Sequence, residues 1–143
     1  MAYGVSSTTA IAFSAIIFIL SIADASVDTK LKCTKTCISD SCDNVAIRYG
    51  KYCGIGWTGC PGEEPCDDLD ACCKHQDACM DKHGVGDVRC FHILNNCIDD
   101  LKKSGKNNGF SLKCPYNVAI PTIIQDTNMA ISLNDLRNKV MSK

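Results

Sequence analysis

Twelve cysteines crowd the stretch from Cys33 to Cys114, and none lies in the first 32 residues. An even, dense set of cysteines constrains a short chain more than any other feature. Each cross-link removes unfolded conformations that a thin apolar core could not exclude alone. Zinc is the rival use for such cysteines. The spacings run C-x3-C, C-x4-C, C-x6-C, C-x5-C, C-C and C-x5-C, with no C-x2-C pair of the kind that closes a tetrahedral site. Disulfides are the reading that fits, and they imply an oxidising compartment.

The cysteine-free part has its own composition. Ile11 to Ala23 is apolar apart from Ser14 and Ser21, and it ends in Ala23-Asp24-Ala25, a small-x-small site of the sort signal peptidases cut after. The run is too short to span a bilayer. Residues 1–25 are therefore read as a secretory signal and residues 26–143 as one small secreted domain. No Lys or Arg precedes the run, which departs from the usual signal pattern; a buried helix of the mature domain is the other reading.

Between Ser26 and Lys143 the chain carries 15 basic and 15 acidic side chains, unevenly spread. Glu63 to Asp81 holds seven acids and one base, whereas Lys102 onward holds seven bases and two acids. There is no dense basic face, so nucleic acid is not an expected partner. An acidic centre beside a basic C-terminal part suits a bound cation and contact with anionic lipid, or two solvated faces.

Leu31–Cys37 reads as a short helix in a polar stretch. Tyr49 to Pro65 contains five of the ten glycines and two of the four prolines, a structured loop with little regular structure. A helix should follow, capped near Asp67 or Asp68, with Leu69, Cys72/Cys73, Gln76 and Cys79/Met80 on one face and Gly84 as terminator. A second should be capped by Asp87, carry Val88, Phe91, Leu94, Ile98 and Leu101 on one stripe, and stop at Gly105. If the two run antiparallel, Cys72 faces Cys97 and Cys79 faces Cys90, although spacing alone leaves other pairings open. A weaker helical pattern covers Ile120 to Val140, with Leu133, Leu136 and Val140 on one face. The fold class is a mainly α, disulfide-rich small domain: two cross-linked antiparallel helices and a glycine-rich loop.

Three runs carry a resemblance: Tyr49-Gly50-Lys51-Tyr52-Cys53-Gly54-Ile55-Gly56, Gly59-Cys60-Pro61-Gly62, and Pro65-Cys66-Asp67-Asp68-Leu69-Asp70-Ala71-Cys72-Cys73. Together they resemble the secretory phospholipases A2. The Lys-Tyr-Cys-Gly and Cys-Pro-Gly-Glu forms and the twelve cysteines resemble the plant branch. The resemblance implies a calcium loop. Ca2+ takes oxygen ligands, and glycines let a loop turn its carbonyls inward. Carried over, the ligands are the carbonyls of Tyr52, Gly54 and either Gly56 or Trp57, with the Asp77 carboxylate. Cys53 and Cys73 join Cys72, Cys97, Cys79 and Cys90 among the expected disulfide cysteines. The implied activity is calcium-dependent hydrolysis of the sn-2 acyl ester of glycerophospholipids at a membrane or micelle surface.

One position breaks the pattern. The family's Cys-Cys-x-x-His-Asp-x-Cys reads here as Cys72-Cys73-Lys74-His75-Gln76-Asp77-Ala78-Cys79. Asp77 keeps the calcium position, but Gln76 takes that of the general base, and His75 stands one residue early. One residue of helix is about 100° of rotation. Glutamine has no nitrogen that titrates near neutral pH. Phe91, which follows Cys90, falls where the family has a residue that hydrogen-bonds the catalytic histidine. His75 and His83 also fit as plain exposed helix residues. Three functions stand: an esterase using His75, a catalytically impaired calcium- and lipid-binding homologue, and a cysteine-rich defence or inhibitor protein. The last requires the calcium loop to be coincidence. No Asn-x-Ser/Thr sequon is present.

Overall fold

The computed structural model describes residues 32–142. The expected secretory segment, with its Ala23-Asp24-Ala25 site, lies outside the described residues. Four three-residue strands precede three helices: β1 Lys32–Thr34, β2 Ile38–Asp40, β3 Arg48–Gly50, β4 Trp57–Gly59, α1 Asp68–His83, α2 Val88–Lys103 and α3 Tyr116–Met141.

The strands form two minimal ladders. β1 pairs in parallel with β4, Cys33 opposite Thr58, and β2 pairs antiparallel with β3, Ser39 opposite Tyr49. The short helix expected over Leu31–Cys37 is therefore absent among the described residues; Lys32–Thr34 is a strand. The β4 ladder takes up its backbone groups, and Cys33 and Cys37 bond to Cys60 and Cys66. Long-range pairing overrides a weak local propensity here.

Both predicted caps are present. The Asp67 side chain accepts from Asp70 N–H at the start of α1, and Asp87 accepts from Arg89 N–H at the start of α2. These bonds satisfy backbone donors that a helix N-terminus otherwise leaves free. Gly84 caps α1 with φ 97, and α2 gives way at Ser104 just before Gly105.

Six disulfides lace the molecule: Cys33–Cys60, Cys37–Cys66, Cys42–Cys114, Cys53–Cys73, Cys72–Cys97 and Cys79–Cys90. The last two staple α1 to α2. Between the helices the core is thin: Leu69 from α1, then Leu94, Ile98 and Leu101 from α2, closed by Tyr116, Ala119, Ile120 and Ile123 of α3.

α3 begins at Tyr116, four residues before the expected start, and so takes Pro121 into its interior. A start at Ile120 would have put that proline in the first turn, where its missing N–H costs nothing. Burial of Tyr116 and Ala119 outweighs the lost hydrogen bond. Leu133, Leu136 and Val140 do share a face, but that face is exposed.

Candidate functional site: a glycine loop hung on the carboxylates of α1

The site is assembled where the Arg48–Cys66 loop meets the first turns of α1. Its anchor is Asp70, a fully buried acid. The Asp70 carboxylate accepts from Lys51 N–H (3.0 and 2.9 Å to its two oxygens), Tyr52 N–H (2.8 Å) and Cys66 N–H (2.9 Å). Three loop amides thus converge on one helix side chain. Charge-assisted bonds of this kind are about twice as strong as neutral ones. Gly50 makes room for it: with φ 69, a Cβ there would sit 2.1–2.4 Å from the Asp70 carboxyl atoms. No other residue fits that position.

Asp67 works at the neighbouring corner. Besides capping α1, it accepts from Tyr49 O–H and from Phe110 N–H, the latter at 2.9 Å. Burial, reinforced by that bond to Asp67, holds the Tyr49 phenol protonated far above its ordinary range. Lys51 Nζ pairs with Glu63 at 2.6 Å and donates to the Glu64 carbonyl at 3.0 Å. The bond from Lys51 holds the Glu63 carboxyl below its ordinary value.

These contacts orient the loop carbonyls. Cys53 N–H donates to the Tyr49 carbonyl at 3.1 Å. Across a trans peptide the Tyr52 carbonyl then points the opposite way. The Gly54 carbonyl accepts only a long bond from Trp57 N–H (3.4 Å), and that of Gly56 accepts from Lys32 N–H at 3.2 Å as part of the β1–β4 ladder. Each carbonyl oxygen carries two lone pairs, so one remains on each. Gly54 and Gly56 have φ 146 and 75, conformations that side chains disfavour. The Cys53–Cys73 bond ties this loop to α1 one turn before Asp77.

Asp77 is partly buried, and Thr58 Oγ1 on β4 donates to its Oδ2 at 2.7 Å. Burial raises its pKa to about 6; the Thr58 bond opposes the shift, while Asp81 and Asp70 add to it. Among the described residues Asp77 has no cationic partner, and a desolvated carboxylate of that kind is chemically suited to a hard cation. Among the described residues no three His, Cys, Asp or Glu side chains gather in metal-binding range. A cation at this loop would rest on Asp77 and backbone oxygens, which matches the oxygen-only chemistry of calcium.

α1 presents Leu69 and Cys73 as fully buried, Gln76 and Asp77 as half-buried, and His75 as exposed. Gln76, not His75, is therefore next to Asp77 on the inward side. On α2, Phe91 is buried, while His92 is exposed. The two histidines stand one residue away from the inward positions, and both are exposed.

No protein-family model matches the chain. It is 45% identical to phospholipase A2-beta of Arabidopsis thaliana, over 94% of this chain and 92% of that protein. It is 50% identical to probable phospholipase A2 homolog 1 of Oryza sativa subsp. japonica, over 80% of this chain and 83% of that one. The chain belongs to the plant phospholipase A2 family. Among solved structures, that of rice PLA2 superimposes with a TM-score of 0.65 at 37% identity, covering 75% of this chain and 88% of that one. The rice protein has also been solved in complex with octanoic acid, with the same TM-score and identity, covering 75% of this chain and 94% of that one.

Membership of this family argues against coincidence as the origin of the loop, which the defence or inhibitor reading required. Two residues of this candidate site escaped sequence reasoning, Asp70 and Thr58. Asp70 was open to detection: it precedes Cys73 by three positions and Asp77 by seven, so it shares their inward face. Thr58 had no such signal, because only the ladder with β1 brings it to Asp77.

Proposed function

We propose that this protein is a secreted, calcium-binding member of the phospholipase A2 family that engages phospholipid but hydrolyses its sn-2 ester weakly. One observation carries the reading: the half-buried position beside Asp77 is occupied by Gln76, while His75 is exposed on another face of α1. An amide can hold a water by hydrogen bonding but cannot take its proton. Phe91, buried and apolar, offers nothing to orient an imidazole.

Calcium binding through Tyr52, Gly54, Gly56 or Trp57, and Asp77 is supported by the oxygen-rich loop and the desolvated Asp77 carboxylate. The ion, when bound, would polarise the ester carbonyl and stabilise the oxyanion. The chain itself contributes the rigid carbonyl frame held by Asp70 and the Cys53–Cys73 bond. Cleavage after Ala25 is part of the same proposal, and N-terminal sequencing of secreted material should begin at Ser26.

The deciding experiment is a calcium-dependent hydrolysis assay on phospholipid mixed micelles. A well-placed general base contributes about 10²–10⁴-fold, so the wild type should fall short of an ordinary family member by that order. Gln76→His should recover part of the rate, and adding Phe91→Asn should recover more. His75→Ala should leave the residual rate unchanged. Strong wild-type activity that disappears in His75→Ala would instead make His75 the base and end the impaired-homologue reading.

A further inference from the structure

The first half of α3 is a core element, with Tyr116, Ala119, Ile120, Ile123 and Thr127 buried. Beyond Thr127 the helix still lies along the body: Ala130, Ile131 and Asn134 are partly covered, and an Arg137 Nη2 lies 3.4 Å from where a Gly86 Cβ would stand. On the outer side a polar row, Gln125, Asn128, Ser132, Asp135 and Lys139, is flanked by an open apolar one. Met129, Leu133, Leu136 and Val140 are 41%, 61%, 58% and 75% exposed. Their spacing of four, three and four residues aligns them in one stripe, about 140° round the helix from the body-facing row.

Nothing in the fold explains this stripe. Chance exposure accounts for single leucines, not for a row repeating at helical period on the side that faces away from the core. Ser132, Asp135 and Lys139 border it on one side and Arg137 on the other. Arg137 donates to Asn134 Oδ1 at 2.8 Å, and neither Arg137 nor Lys139 is in an ion pair among the described residues. An apolar stripe with free cations at its margin is the pattern of a helix lying in a membrane interface. Among the described residues no helix is long and apolar enough to cross a membrane, so this one would lie on the surface.

We propose that the outer face of residues 129–140 of α3 is an interfacial anchor that seats the molecule on an anionic phospholipid surface. The choice of a lipid partner rests on the phospholipid reading above. A second copy of the chain fits less well. A seam of this length is about 17 Å long and one helix wide, and it would bury a few hundred Å2 per partner, short of the roughly 800 Å2 of a stable complex.

The test is co-sedimentation of the disulfide-bonded protein, recovered from the medium of an expressing host, with vesicles in EDTA. The vesicles are phosphatidylcholine alone or an equal mixture with phosphatidylglycerol. The wild type should bind the mixed vesicles, and Leu133→Ser with Leu136→Ser should weaken binding by about tenfold or more with the melting temperature unchanged. Arg137→Gln with Lys139→Gln should reduce binding to the mixed vesicles towards the phosphatidylcholine level. Calcium is absent and no turnover is read. Loss of calcium binding or hydrolysis therefore leaves this result untouched, and the reverse holds too. Wild type that does not bind, or leucine variants that bind equally, overturns the anchor. A lipid-free dimer that the same leucine substitutions dissociate overturns it in favour of a second copy.

Discussion

The Arg48–Cys66 loop and the α1–α2 helix pair hold together by different means. The helix pair buries Leu69, Leu94, Ile98 and Leu101 and is stapled by Cys72–Cys97 and Cys79–Cys90. The loop has few aliphatic side chains to bury and hangs instead from carboxylates: Asp70 under Lys51, Tyr52 and Cys66, and Asp67 under Tyr49 and Phe110. Apolar packing is indifferent to pH and cations. A frame of carboxylates and backbone oxygens is not, and that sensitivity belongs in a region proposed to hold calcium. Ile55 stands exposed at the tip of the loop.

The comparison can be broken hardest through the cross-links. Cys42–Cys114 joins the strand-and-loop half to the start of α3 across 72 residues, whereas Cys79–Cys90 closes only 11 within the helix pair. On loop-closure entropy, removing the first should cost about 4.4 kcal/mol and removing the second about 2.8 kcal/mol. Denaturant titration of the two double-alanine variants checks the order. A larger loss from the shorter loop would mean that the halves are not held by that long link.

Next comes the anchor itself. Asp70→Ala leaves three buried loop amides without an acceptor and should destabilise by at least about 3 kcal/mol. It should also abolish any calcium-induced rise in melting temperature. Leu94→Ala should cost a similar amount through an empty core site while keeping that rise. If both variants lose the calcium response equally, the loop and helix pair are one cooperative unit and the contrast drawn here fails.

The smallest expected effect is a pH dependence. Asp77 has its pKa raised from 3.8 to about 6 in the folded chain. The native state therefore binds the extra proton, and in calcium-free solution stability should fall as pH rises from about 4 through 6. Because the side chain is only partly buried, the change should be about 1 kcal/mol. Asp77→Asn should flatten it. With calcium the trend should reverse, since the ion competes with the proton for the same oxygens. Melting curves at pH 5 and 7, with and without calcium, read both signs.

Much of this molecule was legible in one dimension because the relevant signals are local. Asp67 and Asp87 cap the helices they precede, Gly84 ends α1, and the i, i+3/i+4 rows place Leu94, Ile98 and Leu101 inward; each depends on residues within a turn or two. The displacement of His75 from the face of Asp77 is of the same kind, since 100° per residue is a property of the helix and not of its surroundings. Other features depend on partners distant along the chain. Lys32–Thr34 is a strand because Trp57–Gly59 lies beside it. Asp70 is an anchor because the loop folds back over it. α3 starts at Tyr116, through a proline, because the core has room for that ring. Leu133, Leu136 and Val140 look like a core stripe in sequence, and periodicity correctly aligns them. It cannot say which side of α3 the body occupies, because hydrophobic period fixes a face and only packing chooses what that face meets.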